Sequence, residues 1–280
     1  MEKFIVKSSR GFRAGVAGLA ALAIALGGCG AEQSADPAAA PASATPPPIP
    51  ADPKAALAAS VNAINVDTHY AFSAESAGMK TTGVVHGPSR SMALTSTTSE
   101  EPAFSLELYY TEPRATYLRT DVFAVLAEAF GAGTGELTPL GLDGKKWLMF
   151  DPDRAEDFTG ISFADADLAD VADPLGKGLV SAEQTGPGQY KGVANLYDHT
   201  PSEYVLTQEG TEPDAKLKTV PFTATLDDRG RLTSVVYDLG GTPLTITISE
   251  YGAAAAPAKP AGTDVVEATD ETYAQLNGKS

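Results

Sequence analysis

From Tyr70 to Tyr251 apolar side chains recur at every second position in short runs, and this period restricts the chain to sheet. Tyr70, Phe72 and Ala74 alternate with His69, Ser73 and Glu75. Met92 and Leu94 alternate with Ser91 and Thr95, and Phe104, Leu106, Leu108 and Tyr110 with Ser105, Glu107, Tyr109 and Thr111. Shorter runs follow at 115–119, 145–150, 180–184, 189–197, 221–227, 231–239 and 244–251. Turn chemistry separates them: GMK at 78–80, GPSR at 87–90, TGPG at 185–188 and Asp228-Arg229-Gly230. Strands joined so tightly are antiparallel, with one face apolar and the other rich in Thr, Ser and charge. No βαβ rhythm occurs, so a doubly wound parallel sheet is excluded.

Two helices interrupt the pattern. Asp52 is placed to cap the first and Pro53 to open it, with Leu57, Val61 and Ile64 on one face as far as Val66. Asp121 is placed to cap the second, whose apolar face is Phe123, Leu126, Ala127 and Phe130, with Gly131 as its end. The body at 52–252 thus reads as α+β, about nine to eleven strands with few helices. Beyond Gly252 the chain turns Ala/Pro-rich, then acidic, and 253–280 reads as a flexible tail with one short helix at 270–276.

The first thirty residues carry a different message. Lys3, Lys7, Arg10 and Arg13 precede Ala14–Leu26, an uncharged apolar stretch, and then Gly27, Gly28 and Cys29. Thirteen residues make about 20 Å of helix, short of a hydrocarbon core of about 30 Å. Residues 1–28 therefore read as an export signal cleaved between Gly28 and Cys29. After it, Gly30–Pro53 holds seven prolines in 24 residues, a composition that stays extended and buries no core. The stretch 29–51 thus reads as a tether of up to roughly 70 Å.

Charge and residue counts remove several functions. Lys and Arg number 20 against 36 Asp and Glu, a net charge of −16, and loss of the basic leader makes the remainder more acidic. Nucleic acid is excluded as a partner for a general surface of that sign, and anionic headgroups would be repelled by it. One cysteine permits no intrachain disulfide and no Cys-rich zinc site. His69, His86 and His199 are scattered, neither HExxH nor GxSxG occurs, and no phosphate loop is present, so no enzyme, cofactor or metal is expected. Each histidine reads as structural. The acids Asp151, Asp153, Glu156, Asp157, Asp165, Asp167, Asp170 and Asp173 lack calcium-loop spacing and read as a solvated loop.

Leu26-Gly27-Gly28-Cys29 resembles a bacterial lipobox. That resemblance implies a diacylglycerol on Cys29, further acylation of palmitate type, and anchorage to the extracytoplasmic face of the cell membrane. The order of elements adds to it: an N-terminal helix, an antiparallel meander, a helix, the Gly144-Lys145-Lys146-Trp147 strand, the Tyr190-Lys191-Gly192 strand, the 220–232 hairpin and a strand ending Glu250-Tyr251-Gly252. In this order the chain resembles the LppX/LprAFG-type actinobacterial lipoproteins with their LolA/LolB-like fold. The resemblance implies an unclosed antiparallel half-barrel whose concave face is covered by helices. It also implies an apolar cavity that binds an acyl chain, glycolipid or lipoprotein for transport or presentation, with an envelope protein as a possible partner. The residues that would line such a cavity are Trp147, Phe104, Leu106, Leu108, Phe123, Leu126 and Phe130, each of which also suits a plain core. The alternative is a tethered, non-catalytic interaction or structural module with a filled core.

Overall fold

A computed structural model describes residues 48–66, 69–99, 103–112, 115–129, 133–155, 168–199 and 215–277, all within one compact unit. The leader, Cys29 and most of the tether lie outside the described residues, as do Phe130 and the acids at 156, 157, 165 and 167.

Helix α1 (Pro53–Val66) opens the unit, and the Asp52 carboxylate accepts from the Ala55 amide at 2.8 Å as the sequence predicts. Strands β1 (His69–Ser76), β2 (Met79–His86), β3 (Ser91–Thr98), β4 (Ser105–Thr111) and β5 (Ala115–Thr120) follow as a meander. Helix α2 (Val122–Ala129), β6 (Trp147–Phe150) and α3 (Leu168–Gly176) come next. Then β7 (Leu179–Gly186), β8 (Gln189–Ala194), β9 (Val220–Leu226), β10 (Leu232–Asp238) and β11 (Pro243–Ser249) form a second meander. A three-residue β12 (Val265–Glu267) and α4 (Asp270–Leu276) end the described chain.

The strands make one sheet in the order β12-β6-β5-β4-β3-β2-β1-β11-β10-β9-β8-β7. Its edges, β12 and β7, do not pair with each other, so the sheet is unclosed. Every neighbouring pair is antiparallel except β12 with β6. The fold is thus the expected α+β unclosed half-barrel, with twelve strands among the described residues.

Hairpin chemistry sets the register. At the β9–β10 turn the Asp227 carboxylate accepts from the Arg229 and Arg231 amides, both at 2.9 Å, and pairs with the Arg231 guanidinium at 2.7 Å. Gly230 supplies the left-handed backbone there at φ 77°. Partial burial works against ionisation of Asp227, yet the hydrogen bonds from Arg231 and Arg229 outweigh it and hold the carboxyl below the usual range.

One face of this sheet is largely apolar, and it is covered in two separate patches. On the β1 and β7–β11 side, α1 and α3 bury Leu57, Val61, Ile64 and Leu175 against Tyr70, Val235, Tyr237, Ile246 and Phe222. On the β3–β6 side, Met92, Leu108, Tyr110, Leu118, Leu148 and Phe150 are covered by Leu137, Leu142 and, from α4, Tyr273 and Leu276. Helix α2 adds only margin contacts through Phe123, Ala124 and Ala127.

Between the patches a single ring bridges. Phe72 stands opposite Gly83, and a Cβ at Gly83 would lie 2.5 Å from the Phe72 ring and 2.7 Å from the Ala93 carbonyl oxygen. The same device recurs at Gly192, where Phe222 stands opposite. A ring laid over a cross-strand glycine restores the apolar cover that the missing side chain withholds.

The tail departs from expectation. Residues 253–280 read as flexible, but 265–267 pair with β6 and 270–276 form a helix whose Tyr273 and Leu276 are buried. The Tyr273 hydroxyl accepts from the Asp151 amide at 2.8 Å, and the Arg154 guanidinium lies 3.8 Å over its ring. The chain must cross six strands, β1 to β6, to pass from β11 to β12. At about 4.8 Å per strand spacing that is roughly 34 Å, which the twelve residues between Gly252 and Val265 span only when extended. The Ala/Pro-rich composition that signals a loose end in sequence is what an extended strap needs. The domain boundary drawn at 252 therefore moves to at least 277.

A chain ended after Gly252 tests this directly. Burial of Tyr273 and Leu276 contributes about 1.5–3 kcal/mol each, so thermal unfolding of the shortened chain should fall well below that of the full chain. An unchanged midpoint would make the strap dispensable.

Candidate functional site

The structure scatters the residues expected to line one cavity. Leu108 is buried within the second patch, with Leu106 and Phe123 at its margin. Phe104 is half-buried just before β4. Leu126, expected on the covered face of α2, is 45% exposed. Helix α2 ends at Ala129 and is not capped as predicted: the Asp121 carboxylate accepts from the Ser105 amide at 2.6 Å, while the Thr120 hydroxyl takes the Val122 amide at 3.2 Å.

Trp147 sits on the opposite face from this group. Leu118 and Leu148 are register partners in the second patch. Their chain neighbours Arg119 and Trp147 therefore point the other way. There the Arg119 guanidinium stacks 4.8 Å over the indole and pairs with Glu107 at 2.7 Å. The strand alternation needed to see this is present in the sequence, but not the neighbour that Trp147 meets.

The face turned away from the two patches is covered as well. Tyr109 and Tyr117 pack edge to face across β4 and β5, 5.7 Å between centroids, and are only 6% and 2% exposed. The strap lies on this face, since Lys259 sits 5.5 Å over the Tyr117 ring. A hydrogen bond to Tyr117 raises the Lys259 pKa.

What the structure offers as a binding feature lies at the joint between the patches. An open hollow of about 340 Å³ at β1, β2 and β3 is lined by Phe72, Gly83 and Leu94 of the apolar face and by Ala71, Thr82, Val84, Ala93 and Thr95, which strand alternation places on the opposite face. Ligand pockets run to about 300–1,000 Å³, so this one suits a short apolar segment rather than a whole lipid. Of its residues only Phe72 and Leu94 stood out in sequence as alternating apolar positions. The overlooked signal was Gly83 itself: a glycine inside a strand marks a close approach.

Two buried hydroxyls, Thr116 Oγ1 and Tyr237 Oη, have no hydrogen-bond partner within the described residues, and burial pushes the Tyr237 phenol well above its ordinary value. The acids that are described serve as caps and pairs: Asp151 with the Asp153 amide, Asp173 with Lys177 at 3.0 Å, and Asp270 with Arg154 at 2.6 Å. Among the described residues no group of three or more His, Cys, Asp or Glu converges. His69 and His86, scattered in sequence, are brought together as directly paired residues of β1 and β2, with ring centroids 5.5 Å apart. No helix among the described residues is long and apolar enough to cross a membrane.

No family model and no curated protein matches the chain. Among solved structures it is similar to LprF from Mycobacterium bovis, at 14% identity and a TM-score of 0.42, covering 75% of this chain and 97% of that one. It is also similar to the Mycobacterium tuberculosis lipoprotein LppX, at 13% identity and a TM-score of 0.29, covering 74% and 98%. Identities and scores at this level carry no inference about ligand or activity.

The placement of Trp147 has a measurable consequence. Arg119→Ala removes the cation over the ring and leaves Glu107 without its partner, so the emission of the chain's one tryptophan should change in intensity and wavelength. An unaltered spectrum would place the ring elsewhere. Both groups are partly exposed, so the stability cost should stay within about 1 kcal/mol.

Proposed function

We propose that this is a lipid-anchored envelope protein that holds the acyl segment of an amphiphile, without making or breaking a bond in it. The observation that carries the reading is the interrupted cover of the apolar face. Two well-packed patches leave Phe72, Gly83 and Leu94 half-buried beside an open hollow of about 340 Å³. Apolar surface of this kind accepts hydrocarbon. Each buried methylene contributes about 0.8 kcal/mol, so a segment of about six gives about 5 kcal/mol before ordering costs. Modest affinity and ready release follow, as suits presentation or hand-over at a membrane.

The anchor belongs to the same reading. Lipid on Cys29, following the lipobox-like Leu26-Gly27-Gly28, would hold the acidic body at the extracytoplasmic face through the Pro-rich tether. Two or more acyl chains hold stably where one does not. Cys29→Ser should move the protein from the membrane fraction to the soluble one; a variant that stays with the membrane would remove the anchor from the proposal.

One observation favours the second reading, a filled interaction module: the Phe72 ring already occupies the space over Gly83. Titration of the full chain with a dansyl-labelled fatty acid separates the two. Saturable binding is expected, weakened at least about tenfold by Leu94→Trp, which fills the hollow, and strengthened by Phe72→Ala, which enlarges it. No saturable binding, or binding indifferent to both changes, would leave only the interaction module.

A further inference from the structure

The paired histidines share a sheet face with Ala71, Val84 and Ala93 and have no part in the function proposed above. His69 and His86 are register partners at the ends of β1 and β2. Their chain neighbours Tyr70 and Val85 are buried in the first patch, so both imidazoles project from the other face of the sheet. The rings are 5.5 Å apart between centroids at an interplanar angle of 61°. The Nδ1 atom of His69 is buried and has no hydrogen-bond partner within the described residues. An imidazole nitrogen withheld from water without a partner is costly, and a coordinated cation would remove that cost.

His86 is held from behind. Its Nδ1 lies 2.6 Å from Ser89 Oγ and accepts from the Ser89 amide at 3.2 Å, and Ser89 Oγ lies 2.6 Å from Ser91 Oγ. Ser91 is itself 2% exposed and stands opposite His86 in the β2–β3 register. This hydroxyl pair fixes the ring orientation and leaves Nε2 as the outward nitrogen. Metal-bound histidines donate the distal ring N–H to an outer partner; here Nδ1 accepts from the Ser89 amide, and Ser89 Oγ is the group placed to take that N–H once the proton sits on Nδ1.

We propose that His69 and His86 form a two-imidazole site for a divalent transition-metal cation, with Ser89 and Ser91 as the outer support. With metal–nitrogen bonds of about 2.0–2.1 Å, two imidazoles on one ion place their ring centres roughly 5–6 Å apart, which is the separation the apoprotein already has. Imidazole ligands select Cu(II), Zn(II) and Ni(II) over Mg(II) and Ca(II), and Cu(II) binds tightest of the series. Because no third His, Cys, Asp or Glu joins the pair among the described residues, the remaining positions go to water and the site stays open. On coordination through Nε2 the His86 proton moves to Nδ1 and is donated to Ser89 Oγ, and the Ser89 amide gives up its bond to the ring.

Cu(II) titration of the full chain on a Cys29→Ser background, which removes the one thiol, tests the site. One equivalent should bind, with nitrogen hyperfine structure from two imidazoles in the electron paramagnetic resonance spectrum. His69→Ala and His86→Ala should each weaken binding at least about tenfold, Ser89→Ala should weaken it less, and His199→Ala should leave it unchanged. Should either alanine variant misfold, substoichiometric Cu(II) added to the otherwise unchanged protein should broaden the amide resonances of residues 69, 86, 89 and 91 before others. Absence of binding, a spectrum without imidazole nitrogen, or broadening centred elsewhere would overturn the site.

Discussion

An open sheet with one largely apolar face has to hide that face from water. Burying apolar area stabilises at about 25 cal/mol per Å², and no other contact made by these strands approaches that sum. The helices available for the task are short: α1 and α3 on one half, α4 with the 137–142 turns on the other. Their reach leaves a seam at β1–β3. Phe72 bridges it by lying over Gly83, and the hollow at the seam is what remains. The hollow is therefore a by-product of incomplete cover, placed where two independently packed halves meet.

The strap extends the same logic. Three strands' worth of pairing could have ended the sheet at β6, with an exposed edge and an uncovered second patch. Instead the chain returns across the opposite face, covers Tyr109 and Tyr117 beneath Lys259, pairs β12 to the β6 edge and seats α4 on the core. An edge strand with unpaired amides is a hazard for association, and a short parallel strand in cis blunts it. At the other end, Lys54 donates to the Leu179 and Val180 carbonyls of the β7 edge at 3.3 and 2.8 Å, a local version of the same protection.

Much of the fold was legible. Period-two alternation located the long strands, Asp52-Pro53 marked the start of α1, and Asp227 to Gly230 marked the β9–β10 hairpin. These signals are local: a cap, a turn and a pleat are each decided within a few residues. The site was legible only in part. Leu106, Leu108 and Phe123 were assigned to the covered face and are there, but Trp147 was grouped with them and lies on the other side. Alanine and proline after Gly252 resembled a frayed end because the partner that orders them is more than a hundred residues away in sequence, at Tyr117 and Trp147.

Sequence by itself determined the alternation of faces, the turns and hence an antiparallel α+β body, because each depends on backbone geometry and near neighbours. Tertiary structure alone decided which residues meet across the sheet: Phe72 with Gly83, Arg119 with Trp147, His69 with His86, and the strap with the β6 edge. Cross-strand registry couples positions that the chain's local chemistry does not. The seam and the histidine pair therefore became visible only once the strands were laid side by side.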